Sequence, residues 1–128
     1  MTSEVAGTAG ARTAVWAWRV AFVAACALQL YGVYSPGEPG PSELFPGVDK
    51  VAHFGLFAAV AFTGLIVGVP TRWLLAALAA NAIGSELVQY YFLPHRDGDV
   101  FDALADLLGV AAGAWAGWAV VRRTARTT

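Results

Sequence analysis

Residues 51–69 read VAHFGLFAAVAFTGLIVGV, and His53 and Thr63 are their only polar side chains. At a rise of 1.5 Å per residue, a helix of this length crosses most of a hydrocarbon core about 30 Å thick. A helix in a soluble bundle keeps a polar outer face. This stretch has none, so it reads as a membrane span. Working outward, three more apolar stretches follow the same rule, at about residues 14–34, 73–93 and 100–121. Pro70-Thr71-Arg72 forces a tight return between the middle pair, and residues 94–99 separate the last pair. The longest link, residues 35–49, is rich in Pro and Gly and excludes regular helix. The expected fold is all-α, a four-helix transmembrane bundle spanning residues 14–121. Residues 1–13, small and polar, are expected to be disordered, and residues 122–128 to form a basic tail.

Composition agrees. Hydrophobic residues make up 58% of the 128 residues and charged residues 13%, against about 25% charged in soluble domains. A net charge of −1 gives no electrostatic reason to expect a nucleic-acid partner. The single cysteine, Cys26, lies in an apolar run, where no internal disulfide is possible and reactivity is low. Val23-Ala24-Ala25-Cys26 has the look of a lipoprotein cleavage box. Arg19 leaves too short an apolar run before it for a signal peptide, whose core needs about 7–15 residues.

Four spans place both termini on one side. Arg12, Arg19, Arg72, Arg122, Arg123 and Arg126 then share that side, with only Lys50 and Arg96 opposite. This bias predicts cytoplasmic termini. Trp16, Trp18, Trp73 and Trp118 fall at the same inner interface. The acids do the reverse. Glu38, Glu43, Asp49, Asp97 and Asp99 fall in outer loops, and Glu86, Asp102 and Asp106 in the outer halves of spans, leaving Glu4 as the exception.

An ionisable group inside a bilayer costs roughly 2.5–3.5 kcal/mol on insertion scales and points by default to function. Asp49, Lys50 and His53 share one helical face by their spacing of three and four. Asn81 and Ser85 precede Glu86 and Gln89, which again share a face. Asp99, Asp102 and Asp106 form a third stripe, continued downward by Gly109, Gly113 and Gly117. Rows of small residues let helices approach closely, so this stripe is expected to face inward; Gly64 and Gly68 offer a similar row. Depth counted at 1.5 Å per residue puts Glu86 and Asp106 each about 10 Å below the outer end of its span. Three helices are thus expected to supply one polar pocket, with Arg96 or Lys50 reaching down to neutralise its acids.

Each piece has a plainer reading. Asp49 can cap a helix, Lys50 can snorkel, His53 can be a structural hydrogen-bonded histidine, and Glu86–Arg96 can be a buried register-setting pair. Asp97 and Asp99 can be solvated loop residues.

In order along the chain, Asp49-Lys50-x-x-His53-Phe54, Glu86-x-x-Gln89 and Arg96-x-x-Asp99-x-x-Asp102-x-x-x-Asp106-x-x-Gly109-x-x-x-Gly113 resemble the VanZ-like family. These are small polytopic bacterial membrane proteins, named after an accessory factor in teicoplanin resistance. The resemblance covers about residues 31–117. It departs at Asp106, where the family pattern usually has Asn. It implies a multi-pass protein of the bacterial cytoplasmic membrane, linked to the cell envelope and to glycopeptide tolerance. No reaction is implied.

Four functions fit these residues. The first is binding or transport of an envelope lipid or lipid-linked head group, with Lys50 and Arg96 on phosphate and the acids on hydroxyls or amines. The second is an acid/base enzyme using His53 with Glu86 or Asp102. The third is a metal site from His53, Glu86, Asp102 and Asp106, though no tight ligand motif marks it and no metal or cofactor is assigned. The fourth is a structural accessory subunit.

Overall fold

The computed structural model describes residues 2–37 and 46–128. Four helices follow in order: α1 (Thr2–Tyr34), α2 (Val48–Ile66), α3 (Thr71–Phe92) and α4 (Val100–Thr127). No strand occurs among the described residues. Glu38 and Glu43 lie outside them.

The breaks follow backbone chemistry. α1 ends at Tyr34, just before Ser35-Pro36, where proline removes a donor. Gly47, at φ 84°, precedes α2, so the cap that Asp49 could have supplied is instead a glycine turn, with Asp49 the second residue of the helix. α2 closes in a Schellman motif: Val69 N–H donates to the Gly64 carbonyl at 2.9 Å and Gly68 N–H to the Leu65 carbonyl at 3.1 Å. Gly68 supplies the left-handed residue at φ 85° and has open space around its missing Cβ. It is therefore a turn glycine and not the packing glycine its spacing suggests. Pro70 starts α3, and α3 stops at Phe92, with Leu93 extended before Pro94. Asp99 caps α4, its carboxylate accepting from Phe101 N–H at 2.8 Å.

One expectation needs correction. Helix α1 starts at Thr2, so residues 2–13 are helical and not disordered; no proline interrupts them, and extending a formed helix costs far less than nucleating one. The basic tail likewise continues α4 to Thr127. Three helices, α1, α2 and α4, are long and apolar enough to cross a membrane. α3 is less apolar because it carries Asn81, Ser85, Glu86 and Gln89, of which the last three are buried against its neighbours. Its outward residues Ile83, Leu87 and Tyr90 remain apolar and exposed.

The core is small: Val33, Phe57, Val60, Ala61, Leu74, Leu78, Ala82 and Val110. Large apolar side chains such as Val20, Leu28, Phe101, Leu108 and Trp115 cover the outside. An apolar surface this extensive is the mark of a bilayer-facing protein. Near the end where α2 turns into α3, Arg19 stacks on Trp16, Arg72 on Trp73 and Arg122 on Trp118, with centroid distances of 5.3, 5.5 and 4.4 Å.

α2 and α4 pack backbone against backbone. A Cβ on Gly109 would strike the Phe54 carbonyl, and one on Gly113 the Ala58 carbonyl; at Gly117 it would lie 3.1 Å from the Phe62 carbonyl oxygen. Gly64 instead makes room for Leu74 and Phe22, from α3 and α1.

Candidate functional site

The glycine row places the polar cluster. Gly109 sits one turn after Asp106, and its contact Phe54 follows His53. Where the two backbones meet, the imidazole and the carboxylate have no choice but to face one another. His53 Nδ1 lies 2.8 Å from Asp106 Oδ1. His53 Nε2 points toward Asp102 Oδ2 at 3.8 Å. All three side chains are buried, and Asp106 is 0% exposed.

Above them sits Lys50. Its Nζ donates to Asp99 at 3.0 Å, Asp102 at 3.1 Å and Asp49 at 3.2 Å. The Lys50 side chain is over a third exposed, so the outer pairs add little to stability. Asp102 is different. It is 6% exposed, and a buried carboxylate without its cation is strongly unfavourable. Lys50 is the rim residue that neutralises an inner acid.

Glu86 enters from α3. Its Oε2 accepts the Asp99 backbone N–H at 2.7 Å, which ties α3 to the start of α4. Gly98 makes this approach possible, since a Cβ there would lie 2.7 Å from the Glu86 carbonyl oxygen and 2.8 Å from Tyr90 Cβ. The Asp99 carboxyl is held below its ordinary range, first by the Phe101 N–H and then by the Lys50 ammonium. Asp99 is thus a cap and an ion-pair partner, not a merely solvated loop residue.

Two expected pocket residues point elsewhere. Arg96 forms no pair with Glu86. Its Nη2 donates to the Gly32 carbonyl at 2.7 Å and its Nε to the Ser35 carbonyl at 3.2 Å, satisfying orphan acceptors at the end of α1. Gln89 Nε2 donates to the Val33 carbonyl at 2.8 Å, pinning α3 to α1. The sequence reading also missed Gln29. It is 3% exposed and accepts from Asn81 Nδ2 at 3.4 Å, while Tyr34 Oη donates to Asn81 Oδ1 at 2.6 Å. A glutamine inside an apolar span was the available signal. Asn81 and Gln29 lie at one side of a groove of about 360 Å³ between α1, α2 and α3, otherwise lined by residues such as Phe22, Leu30, Val60 and Leu78.

Two deep oxygens, Glu86 Oε1 and Asp106 Oδ2, are buried and have no hydrogen-bond partner among the described residues. One ligand-capable atom from each of His53, Glu86 and Asp106 lies within 4.8 Å of the other two. The cluster is rich in acids: five carboxyl groups, from Asp49, Glu86, Asp99, Asp102 and Asp106, face one lysine and one histidine.

No protein-family model matches the chain, and neither a curated protein nor a solved structure is significantly similar to it.

Proposed function

We propose that the chain is a multi-pass protein of the bacterial cytoplasmic membrane, VanZ-like in its motifs, with both termini cytoplasmic. Its acidic chamber then opens at the extracytoplasmic side and binds the polar head group of an envelope lipid or lipid-linked precursor. A link to glycopeptide tolerance belongs to the same reading. The carrying observation is the convergence of Lys50 and His53, Glu86, and Asp99, Asp102 and Asp106 from three helices into one cluster beneath an exposed rim. The groove beside α1 supports it by offering apolar space of acyl-chain character next to the bundle.

The contacts argue for a different head-group chemistry than the sequence suggests. Lys50 is already met by three carboxylates and Arg96 is spent on the carbonyls of α1. Neither is free for phosphate. A net-anionic chamber selects a cationic group, so the recognised moiety is an amine with its neighbouring hydroxyls. Native mass spectrometry of protein released from vesicles of mixed phosphatidylethanolamine and phosphatidylglycerol tests this. Enrichment of the amine lipid, lost in Asp102→Asn, is expected; equal retention of both lipids refutes it. Orientation is tested with single cysteines placed after Arg126 and beside Asp97. Reaction of the Arg126 cysteine with an impermeant thiol reagent on intact cells refutes the topology.

The His53–Asp106 contact of 2.8 Å, with the second ring nitrogen facing Asp102, favours a second reading as a membrane-embedded acid/base enzyme acting on an envelope lipid. Turnover of a lipid-linked ester or phosphate that is abolished in His53→Gln would establish it.

A further inference from the structure

We propose that His53, Glu86 and Asp106 form a buried divalent-cation site. This goes beyond the head-group reading and does not depend on it.

Asp106 is completely buried and Glu86 is nine-tenths buried. Each uses one carboxylate oxygen: Asp106 Oδ1 faces His53 Nδ1, and Glu86 Oε2 accepts the Asp99 N–H. Each leaves its other oxygen, Asp106 Oδ2 and Glu86 Oε1, buried and unmet among the described residues. Buried polar groups are nearly always satisfied, and an unmet carboxylate oxygen in an apolar bundle is costly. Two of them belong to the one trio of His, Cys, Asp and Glu side chains, among the described residues, whose ligand atoms come within 4.8 Å of one another. The two observations are independent, since one is a shortage of donors and the other a convergence of ligands.

Charge points the same way. Glu86, Asp102 and Asp106 bring three carboxylates into the buried cluster, and Lys50 reaches only Asp102. A dication offsets the remaining two. Zinc bonds of about 2.0–2.2 Å hold tetrahedral ligand atoms roughly 3.4 Å apart, so the trio closes in when an ion binds. One imidazole and two carboxylates suit zinc or manganese, and calcium is disfavoured because it wants six or more oxygens. Three protein ligands also leave a coordination position open, as in sites that act on a bound group.

The test uses the full chain in detergent, stripped with chelator and dialysed against Mn²⁺ or Zn²⁺ alone. About one ion per chain is expected, with the Mn²⁺ resonance showing nitrogen coupling from His53. Affinity falls at least roughly tenfold in Asp106→Asn and in Glu86→Gln, while Asp97→Asn, in the exposed loop, binds as the wild type does. Absence of stoichiometric uptake by folded wild-type protein overturns the proposal. So does uptake that is unchanged in both variants. If the variants do not fold, the nitrogen coupling in the wild type decides alone: its absence from the bound Mn²⁺ overturns the site. None of these readouts requires lipid, so failure here is distinguishable from failure of the head-group reading.

Discussion

Replacing Gly113 by alanine adds one methyl group at the tightest part of the α2–α4 interface. That carbon would collide with the Ala58 carbonyl oxygen and lie 2.8 Å from both the carbonyl carbon and Cα of Ala58. Non-bonded carbons rest at about 3.5–4.0 Å, so the two helices must separate by roughly 1 Å. The obstacle is backbone, which cannot swing aside as a side chain does. Overpacking of this kind costs about 1–3 kcal/mol. Gly84→Ala is the matched control: nothing lies within 4 Å of its Cβ position, and alanine favours helix interiors over glycine by roughly 0.5–1 kcal/mol. Both substitutions gain the same helix preference, so in detergent the two variants should differ by the clash alone, about 1–3 kcal/mol, with Gly113→Ala the less stable. The separation also stretches the 2.8 Å contact between His53 and Asp106. The His53 imidazole resonances should therefore shift in Gly113→Ala and stay in place in Gly84→Ala. If Gly113→Ala melts with or above Gly84→Ala, the backbone-contact account of this interface is wrong.

Removing Lys50 as Lys50→Met leaves Asp102 buried without its cation, and the midpoint should fall; an unchanged midpoint at low salt contradicts the role given to this ammonium. Asp99 gives a pH signature with a definite sign. Its folded carboxyl titrates below the ordinary value near 3.8, so its contribution is complete above that value and disappears as pH falls through the depressed folded one. Midpoints between neutral pH and pH about 3 should thus fall less steeply in Asp99→Asn than in the wild type, and parallel curves would exclude the effect. Arg96→Ala removes two charge-assisted bonds to the end of α1, for about 1–3 kcal/mol. Faster amide exchange at residues 32–37 should accompany that loss, and unchanged exchange would show that the contacts to Gly32 and Ser35 carry no weight.

The helices and their breaks were legible because proline and glycine speak through backbone geometry alone, as at Pro36, Pro70 and Pro94. The stripe of Asp99, Asp102 and Asp106 was legible too, since helical spacing fixes which side chains share a face. Arg96 and Gln89 were not. Both hydrogen-bond to main-chain carbonyls at the end of α1 and just past it, and every residue offers the same carbonyl, so no letter marks the partner. Gly64 and Gly68 have the same spacing as a packing row, yet one makes room for Leu74 and the other turns the chain. That difference lies in φ, which spacing does not encode. The helical start at Thr2 escaped for a related reason: weakly polar residues propagate a helix they would not begin.

The glycine seam between α2 and α4 also decides what can move. Main chain pressed against main chain cannot slide without collision, so these two helices and the His53–Asp106 contact between them act as a fixed block. α3 is fastened by side-chain links, through Gln89 to α1 and Glu86 to the start of α4. Glu86 therefore rides on the helix held mainly by side chains, and a small tilt of α3 would draw its carboxyl away while His53 and Asp106 stay in register.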